Sequence, residues 1–141
     1  MADGLILLFE DEDGLAELYS DVIQMSGYTV QHYFKPTDFL GEKPEDITRT
    51  LDSSKLIWTD GDMPLMHGLD LAQKLRIEHN YTKPIVYNSG RLAQQDIAEL
   101  ETRTVQKPDG SQIILINRAL AKPITVKTTL QVIAELTAPK P

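Results

Sequence analysis

The fold is decided by residues 56–64, which read LIWTDGDMP. An unbroken apolar run of this kind predicts a strand that is covered on both faces, as strands of parallel sheets are. The run ends at Asp60, and a second aspartate follows two positions later. Two further apolar runs also end in polar residues: LILLF at 5–9 precedes four acids, and IVY at 85–87 precedes an Asn-Ser-Gly turn. We therefore expect each of these strands to carry functional groups at its carboxyl end.

Helical patterns lie between these strands. Asp13 is predicted to cap the first helix, and Gly27 supplies its stop. The predicted strands are 5–9, 28–34, 56–59 and 85–87, with a further apolar run at 113–116. Helical spacing from Leu15 to Met25 predicts the helix that follows Asp13, and further helices are predicted at 44–51, 68–79, 92–102 and 126–136. Pro36 opens one more short helix, and Pro139 and Pro141 mark a frayed end. This alternation predicts an α/β fold with a parallel sheet between two layers of helices. In such sheets the functional crevice lies outside the carboxyl ends of the strands.

Length and composition exclude several classes of protein. The 141 residues fit one domain, predicted to span 1–141. Twenty-one acidic against fourteen basic residues give a net charge of -7, and the chain lacks the cluster of Lys and Arg that nucleic-acid binding needs. There is no cysteine, and the apolar run at 5–9 is too short for a signal peptide or a membrane span. These features predict a cytoplasmic protein that contacts neither nucleic acid nor membrane.

The polar residues at the predicted strand ends share one chemistry. They are Glu10, Asp11, Asp60 and Ser89, together with Lys122 after the last apolar stretch. Carboxylates that are brought together repel one another unless a cation joins them, and a divalent ion such as Mg²⁺ takes oxygen ligands of this kind. With a hydroxyl and a lysine added, the set suits a phosphoryl group, because the cations neutralise its oxygens while a carboxylate attacks phosphorus.

These segments, taken in order, resemble the receiver domain of two-component response regulators. LLFEDE at 7–12 resembles the family's first strand with its acidic pair, and DGDMPLMHG at 60–68 resembles its phosphoacceptor segment. PIVYNSG at 84–90 resembles the fourth strand with its switch hydroxyl, and AKP at 121–123 resembles the Lys-Pro pair after the fifth strand. The resemblance covers nearly the whole chain. It implies a doubly wound, five-stranded parallel sheet with the flavodoxin-like order 2-1-3-4-5.

The resemblance also implies a role for each matched residue. Asp60 is implied to be the phosphoacceptor, while Ser89 bonds to the phosphoryl group and Lys122 pairs with it. The implied ligands of Mg²⁺ (or Mn²⁺) are Glu10, Asp11, Asp60 and the backbone carbonyl of Asp62. The peptide bond between Lys122 and Pro123 is implied to be cis. The implied partners are a histidine kinase or histidine phosphotransferase as donor and a downstream protein as target.

The chain departs from the receiver pattern between Ser89 and Lys122. These residues lie 33 positions apart (122 − 89), which is longer than in the family. Position 119, where the family carries an aromatic residue that moves with the switch hydroxyl, is Ala119. We hypothesise that the extra length, near 102–116, forms a hairpin that turns at 108–110 and replaces or extends the usual fourth helix.

A second hypothesis concerns the lifetime of the phosphorylated state. Asp62 lies two positions after the acceptor, and Arg91 lies two positions after the switch hydroxyl. In the resembled family these positions flank the path of the hydrolytic water. Opposite charges there could pair across the pocket and restrict that water, although exposed ion pairs are often weak.

Two other functions are compatible with the sequence. A degenerate receiver would bind partners without phosphorylation, which the alanine at position 119 favours. Alternatively, residues 60–62 resemble the paired aspartates of haloacid-dehalogenase-type phosphatases, although there the pair normally follows the first strand and a cap is inserted. In neither case do His32, His67 and His79 show ligand-like spacing, and no metal or catalytic role is assigned to them.

Overall fold

A computed structural model describes residues 4–138. The strands are β1 (Leu5–Phe9), β2 (Thr29–Tyr33), β3 (Ser54–Asp60), β4 (Ile85–Ser89), β5 (Thr104–Gln106), β6 (Gln112–Ile114) and β7 (Arg118–Ala121). The helices are α1 (Asp13–Met25), α2 (Pro36–Leu40), α3 (Pro44–Ser53), α4 (Gly68–Glu78), α5 (Ile97–Thr102) and α6 (Val126–Thr137), and a 3₁₀ turn at Gln94–Asp96 precedes α5. The predicted frayed end at Pro139 and Pro141 lies outside the described residues.

The central sheet has five strands in the order β2-β1-β3-β4-β7, and every neighbouring pair is parallel. The predicted flavodoxin-like order is therefore confirmed, with β7 as the fifth strand of this sheet. Its central strands are apolar on both faces because helices cover both. Parallel pairing also brings the carboxyl ends of all five strands to one edge of the sheet.

Two apolar layers hold the helices on the sheet. On one face, Ile6, Leu8 and Trp58 pack against residues of α1 and α6 such as Tyr19 and Val132. The opposite face packs against α2, α3, α4 and α5 through a larger cluster, which includes Leu7, Phe9, Phe39, Ile47, Ile57, Leu71, Leu75, Tyr87, Leu100 and Ala119. The chain thus winds over both faces, as the sequence predicted.

The hypothesised hairpin is present. Strands β5 and β6 pair antiparallel in a sheet of their own, from Thr104 opposite Ile114 to Gln106 opposite Gln112. The amide of Gly110 donates to the carbonyl of Lys107 at 2.9 Å, and Gly110 has a φ of 90°. A residue in this left-handed conformation closes a three-residue hairpin loop, and glycine adopts it without a steric penalty.

The structure differs from three sequence predictions: the cap of the first helix, the helix over 92–102 and the apolar run at 113–116. Helix α1 begins at Asp13 itself, and the preceding Glu12 makes no side-chain cap bond, so the predicted Asp13 cap is wrong. The helix predicted over 92–102 is reduced to the 3₁₀ turn and the short α5. The apolar run at 113–116 is divided, because its first half completes the hairpin while the buried Leu115 and Ile116 enter the core. Between 4 and 138, no helix has the length and apolar character that a membrane crossing requires.

Candidate functional site

The carboxyl edge of the sheet brings the predicted site residues together. Glu10 and Asp11 follow β1, Asp60 ends β3 and Ser89 ends β4, while Lys122 follows β7. The strand register fixes these positions, because Asp60 is paired with Asn88 and Ser89 with Ala121. The amide of Lys122 also donates to the carbonyl of Ser89 at 3.0 Å, so the pairing continues one residue beyond β7.

Three carboxylates form the acidic part of the site. One oxygen from each of Glu10, Asp11 and Asp60 lies within 4.8 Å of the others. Glu10 and Asp60 are buried, with 1% and 4% of their surfaces exposed, whereas Asp11 faces solvent. A cluster with two buried members and one open side suits a hard cation that keeps some of its water.

Lys122 joins two of these carboxylates. Its Nζ lies 2.9 Å from Oδ1 of Asp60 and 3.3 Å from Oε1 of Glu10. The peptide bond between Lys122 and Pro123 is cis, in agreement with the resemblance. The amide of Gly61 also donates to Oδ1 of Asp60, at 2.8 Å, so the donors of both Gly61 and Lys122 act on the same oxygen. Oδ2 receives neither of these hydrogen bonds.

The pKa shifts show that a single lysine does not balance the acids. Burial, and then the charge of Asp60, raises the pKa of Glu10 to about 7. Burial likewise raises the pKa of Asp60, even though the hydrogen bond and charge of Lys122 act in the opposite direction. Burial alone would lower the pKa of Lys122, but its hydrogen bond to Asp60 and the two carboxylate charges raise it. The residues therefore fit a divalent cation, whose charge would stabilise both acids in their ionised form.

The hydroxyl of Ser89 is directed away from the acceptor carboxylate. Its Oγ donates to Oδ2 of Asp62 at 3.3 Å and accepts from the amide of Arg91 at 3.0 Å. Asp62 also faces Arg91, with Nε 3.7 Å from Oδ2. The charge pair predicted between Asp62 and Arg91 is thus formed, although both side chains are well exposed. The metal-ligand role of the Asp62 carbonyl stays a prediction.

Two further side chains border this site: His67, to which the sequence analysis assigned no metal or catalytic role, and Tyr87, which it did not single out. His67 caps α4: its Nδ1 accepts from the amide of Leu69 at 3.2 Å, while its Nε2 lies 3.8 Å from Oδ1 of Asp62. Tyr87 is buried, and its Oη lies 3.4 Å from Nε2 of His67. The signal for Tyr87 was present in the sequence, since residues two apart on a strand share a face and Tyr87 lies two positions before Ser89.

An open cleft adjoins the site beside β4. It has a volume of about 680 Å³ and is lined by side chains of both charges, including Asp62, His67, Arg91, Glu99 and Arg103. Its apolar wall includes Tyr87, Leu92 and Leu100. The cleft therefore connects the acceptor site with the segment that contains α5.

The strand order and the edge on which the polar residues meet define a doubly wound α/β protein of the flavodoxin-like type. Within that class, the chain has the fold of a response-regulator receiver domain. No protein-family model matches the sequence, and no curated protein sequence matches it either. Similarity to solved structures confirms the fold that the sequence resemblance implied.

Solved receiver domains superpose over nearly the whole chain. A receiver domain from Clostridium thermocellum shows 17% identity and a TM-score of 0.72, with 95% of this chain and 94% of that chain covered. The non-phosphorylated HemR receiver domain of Leptospira biflexa shows 19% identity and a TM-score of 0.69, with 98% and 97% covered. The chemotaxis protein CheY4 of Vibrio cholerae shows 16% identity and a TM-score of 0.67, with 96% and 99% covered. At such identities the similarity establishes the fold.

Proposed function

We propose that the protein is a phosphoacceptor receiver, which takes a phosphoryl group on Asp60 and changes conformation in response. The observation that carries this proposal is the environment of Asp60. Its carboxylate is buried at a strand end, lies within 4.8 Å of Glu10 and Asp11, and accepts from the Lys122 ammonium at 2.9 Å. A carboxylate in such surroundings can act as a nucleophile, while the cations nearby stabilise the charge that develops on the phosphoryl oxygens.

The proposed reaction is a direct phosphoryl transfer. An oxygen of Asp60 attacks phosphorus of a phosphohistidine, the new O–P bond forms as the P–N bond breaks, and the imidazole leaves with the electron pair and takes up a proton. The lone pairs of Oδ2 are better suited to this attack, because Lys122 and Gly61 both donate to Oδ1. Lys122 then pairs with the phosphoryl oxygens. The product is an aspartyl phosphate on the protein itself, so the protein is a signalling switch rather than an enzyme that turns over external substrates.

The residues proposed to hold Mg²⁺ or Mn²⁺ are Glu10, Asp11, Asp60 and the carbonyl of Asp62. When bound, the ion supplies positive charge to the phosphoryl oxygens. When both acids are ionised, the two buried carboxylates and the single ammonium of Lys122 leave a net negative charge, and this charge favours a bound cation. Asp11 is the most exposed of the three acids and lies where the ion would enter.

The partners follow from the same chemistry. A histidine kinase or histidine phosphotransferase would present the phosphohistidine, and we place the protein in the cytoplasm with such donors. Transmission then requires Ser89 to leave Asp62 and bond to the phosphoryl group, because a hydroxyl has a single proton to donate. The resulting change in population would be sensed by a downstream protein.

Intact-mass measurement after incubation with phosphoramidate and Mg²⁺ tests the proposal. We expect the native chain to gain one phosphoryl group, and we expect no gain without a divalent ion. Asp60→Asn should abolish the gain, because the amide is not a nucleophile of this kind. Asp62→Asn is the matched control: it alters the neighbouring aspartate and should still be labelled.

The same experiment separates the alternative functions. Labelling that survives in Asp60→Asn, or that is lost in Asp62→Asn alone, would contradict Asp60 as the acceptor. Sustained release of phosphate from a phosphate monoester would support the phosphatase of the haloacid-dehalogenase type. A native chain that stays unlabelled with phosphoramidate and with a panel of phosphorylated histidine phosphotransferases would favour the degenerate receiver.

A further inference from the structure

The strand next to Ala119 carries an aromatic residue in register with it. Ala119 is buried on β7, and the parallel register pairs it with Tyr87 on β4. Partners in a parallel pair point to the same face of a sheet, so the two side chains project from the same face. Both side chains belong to the same apolar cluster. An aromatic ring thus occupies this face of the sheet although β7 does not supply it.

Tyr87 contacts the segment that follows the acceptor. A Cβ atom added to Gly61 would collide with the hydroxyl and ring of Tyr87, which shows how closely that side chain packs on the residue after Asp60. Tyr87 Oη also lies 3.4 Å from Nε2 of His67, and the two rings are 5.9 Å apart. Only 5% of the Tyr87 surface is exposed, so the position of its side chain depends on these neighbours.

His67 presents a proton toward Asp62. Its Nδ1 accepts a hydrogen bond from the amide of Leu69 and therefore carries no proton. In the neutral imidazole the proton must then lie on Nε2, which faces Oδ1 of Asp62 at 3.8 Å and Oη of Tyr87 at 3.4 Å. The cap at the start of α4 thus fixes both the tautomer and the orientation of the ring.

Asp62 is the resting partner of the Ser89 hydroxyl. Oδ2 of Asp62 accepts from Ser89 at 3.3 Å, while Oδ1 faces His67. When Ser89 turns to a phosphoryl oxygen, Asp62 loses this donor. Asp62 then keeps its contacts with His67 and Arg91. A change at Ser89 therefore reaches His67 through a single carboxylate.

Tyr87 and His67 line one cleft together with Leu92, Leu100 and Arg103, which belong to α5 and the segments around it. We propose that Tyr87 and His67 are positioning residues that couple the Ser89 hydroxyl to α5: they hold Asp62 as the resting partner of Ser89, and the release of Ser89 passes through them to the cleft. This coupling rests on the proposed function. It runs through a side chain of β4 and needs no ring at position 119.

Two variants isolate the coupling. Tyr87→Phe removes the hydroxyl and keeps the ring. His67→Asn keeps an oxygen that can cap α4 but is too short to reach Asp62. The matched control is Tyr81→Phe, because Tyr81 is also buried and its hydroxyl forms a hydrogen bond with Ser54 at 2.8 Å. Ser54 begins β3, so this bond lies at the end of the sheet opposite the acceptor edge. Thermal unfolding of each variant establishes that it is folded.

The measurement is amide hydrogen exchange of residues 94–103, with and without phosphoramidate and Mg²⁺. We expect phosphorylation to change exchange by about fivefold in the native chain and in Tyr81→Phe, a factor that corresponds to one hydrogen bond. Tyr87→Phe and His67→Asn should take the phosphoryl group yet change by less than about twofold. The double variant should respond to phosphorylation no less than either single variant, because the effects of residues that act in one series of contacts are not additive.

The outcomes distinguish the coupling from the proposed function. If Tyr87→Phe and His67→Asn respond as fully as the native chain, the coupling is overturned and the phosphoacceptor stands. A native chain that takes no phosphoryl group overturns both. Nitrogen-15 NMR of the imidazole gives a check that needs no phosphorylation: in mildly alkaline buffer we expect the His67 proton on Nε2, and a proton on Nδ1 would overturn the coupling.

Discussion

The acceptor edge and the connection from 90 to 117 are built by different means. At the acceptor edge, Asp60 and Ser89 end their strands and Glu10 and Lys122 directly follow theirs, so the parallel register of the backbone places all four side chains. The connection contains only short elements, and side chains that reach backbone groups hold it in place. Glu101, for example, accepts from the amide of Ala119 at 2.8 Å and so covers the outer strand of the sheet. The end of an apolar strand can be predicted from sequence, whereas a single hydrogen bond from a side chain to a distant backbone group cannot.

The main anchor of the connection is Arg76 on α4. Its guanidinium is buried and donates to the carbonyls of Leu115, Tyr81 and Lys83 and to Oδ1 of Asn117, at 2.7–3.2 Å. Burial lowers the pKa of Arg76 to about 10, so the group still carries its charge at neutral pH. One side chain thereby joins α4, the loop before β4 and the end of the hairpin.

Loss of this anchor should have the largest effect on stability. We expect Arg76→Met to lower the free energy of unfolding by about 4 kcal/mol, since it leaves several buried oxygens without a donor. Urea denaturation measures this change. The control is Lys74→Met on the same helix, where the exposed pair with Glu78 should contribute at most about 0.5 kcal/mol. Equal effects of the two substitutions would show that Arg76 is not an anchor.

The acceptor edge should show its own signature in the dependence of stability on pH. The pKa of Glu10 is raised from 4.5 to about 7 in the folded chain, first by burial. A carboxyl with a raised folded pKa contributes stability that is complete below its unfolded pKa and is lost as the pH rises through the folded value. We therefore expect the free energy of unfolding, measured without divalent ions, to fall as the pH rises from 4.5 to about 7. This decrease should be larger in the native chain than in Glu10→Gln, by at most about 3 kcal/mol.

Added Mg²⁺ sharpens this test. An ion held by Glu10 and Asp60 favours their ionised forms in the folded chain, so it should reduce the decline with pH in the native protein. Glu10→Gln should respond less, because it lacks one of the proposed ligands. The same decline in both proteins, unaffected by Mg²⁺, would contradict the assigned environment of Glu10.

The same distinction explains which features were predictable from sequence. Glu10, Asp60, Ser89 and Lys122 could be placed because each follows an apolar run, and parallel strands must end at one edge. The division of the run at 113–116 could not, since apolarity alone does not separate a hairpin strand from core residues that follow it. The contacts of His67 with Tyr87 and of Arg76 with Leu115 join residues at least 20 positions apart, which no local pattern encodes.

Alanine substitution of one glycine in each region compares how each region accepts an added methyl group. Gly68 begins α4, and a Cβ there would collide with the carbonyl oxygen of Asp60, whereas a Cβ at Gly90 meets no heavy atom within 4 Å. We expect Gly68→Ala to cost about 2 kcal/mol, because the backbone that carries the acceptor must shift, and to slow labelling of Asp60. Gly90→Ala should stay within about 0.5 kcal/mol of the native chain. Urea denaturation and intact-mass labelling measure both effects, and a neutral Gly68→Ala would show that this backbone yields easily.

The smallest expected effect concerns the pair formed by Asp62 and Arg91 where the two regions meet. Arg91 is 86% exposed and its Nε lies 3.7 Å from Asp62, so this pair alone restrains little. Asp62 also lies 3.8 Å from Nε2 of His67, so its loss removes both of these contacts and should matter more than the loss of Arg91. After removal of phosphoramidate, we expect the aspartyl phosphate to decay about fivefold faster in Asp62→Ala and at most about twofold faster in Arg91→Ala.

The control is Arg49→Ala, which removes an exposed pair with Asp46 on α3 and should leave the decay unchanged. Unchanged decay in both site variants would mean that the pair does not restrict the hydrolytic water, and a faster decay in Arg91→Ala than in Asp62→Ala would assign that restriction to the connection instead of the acceptor edge.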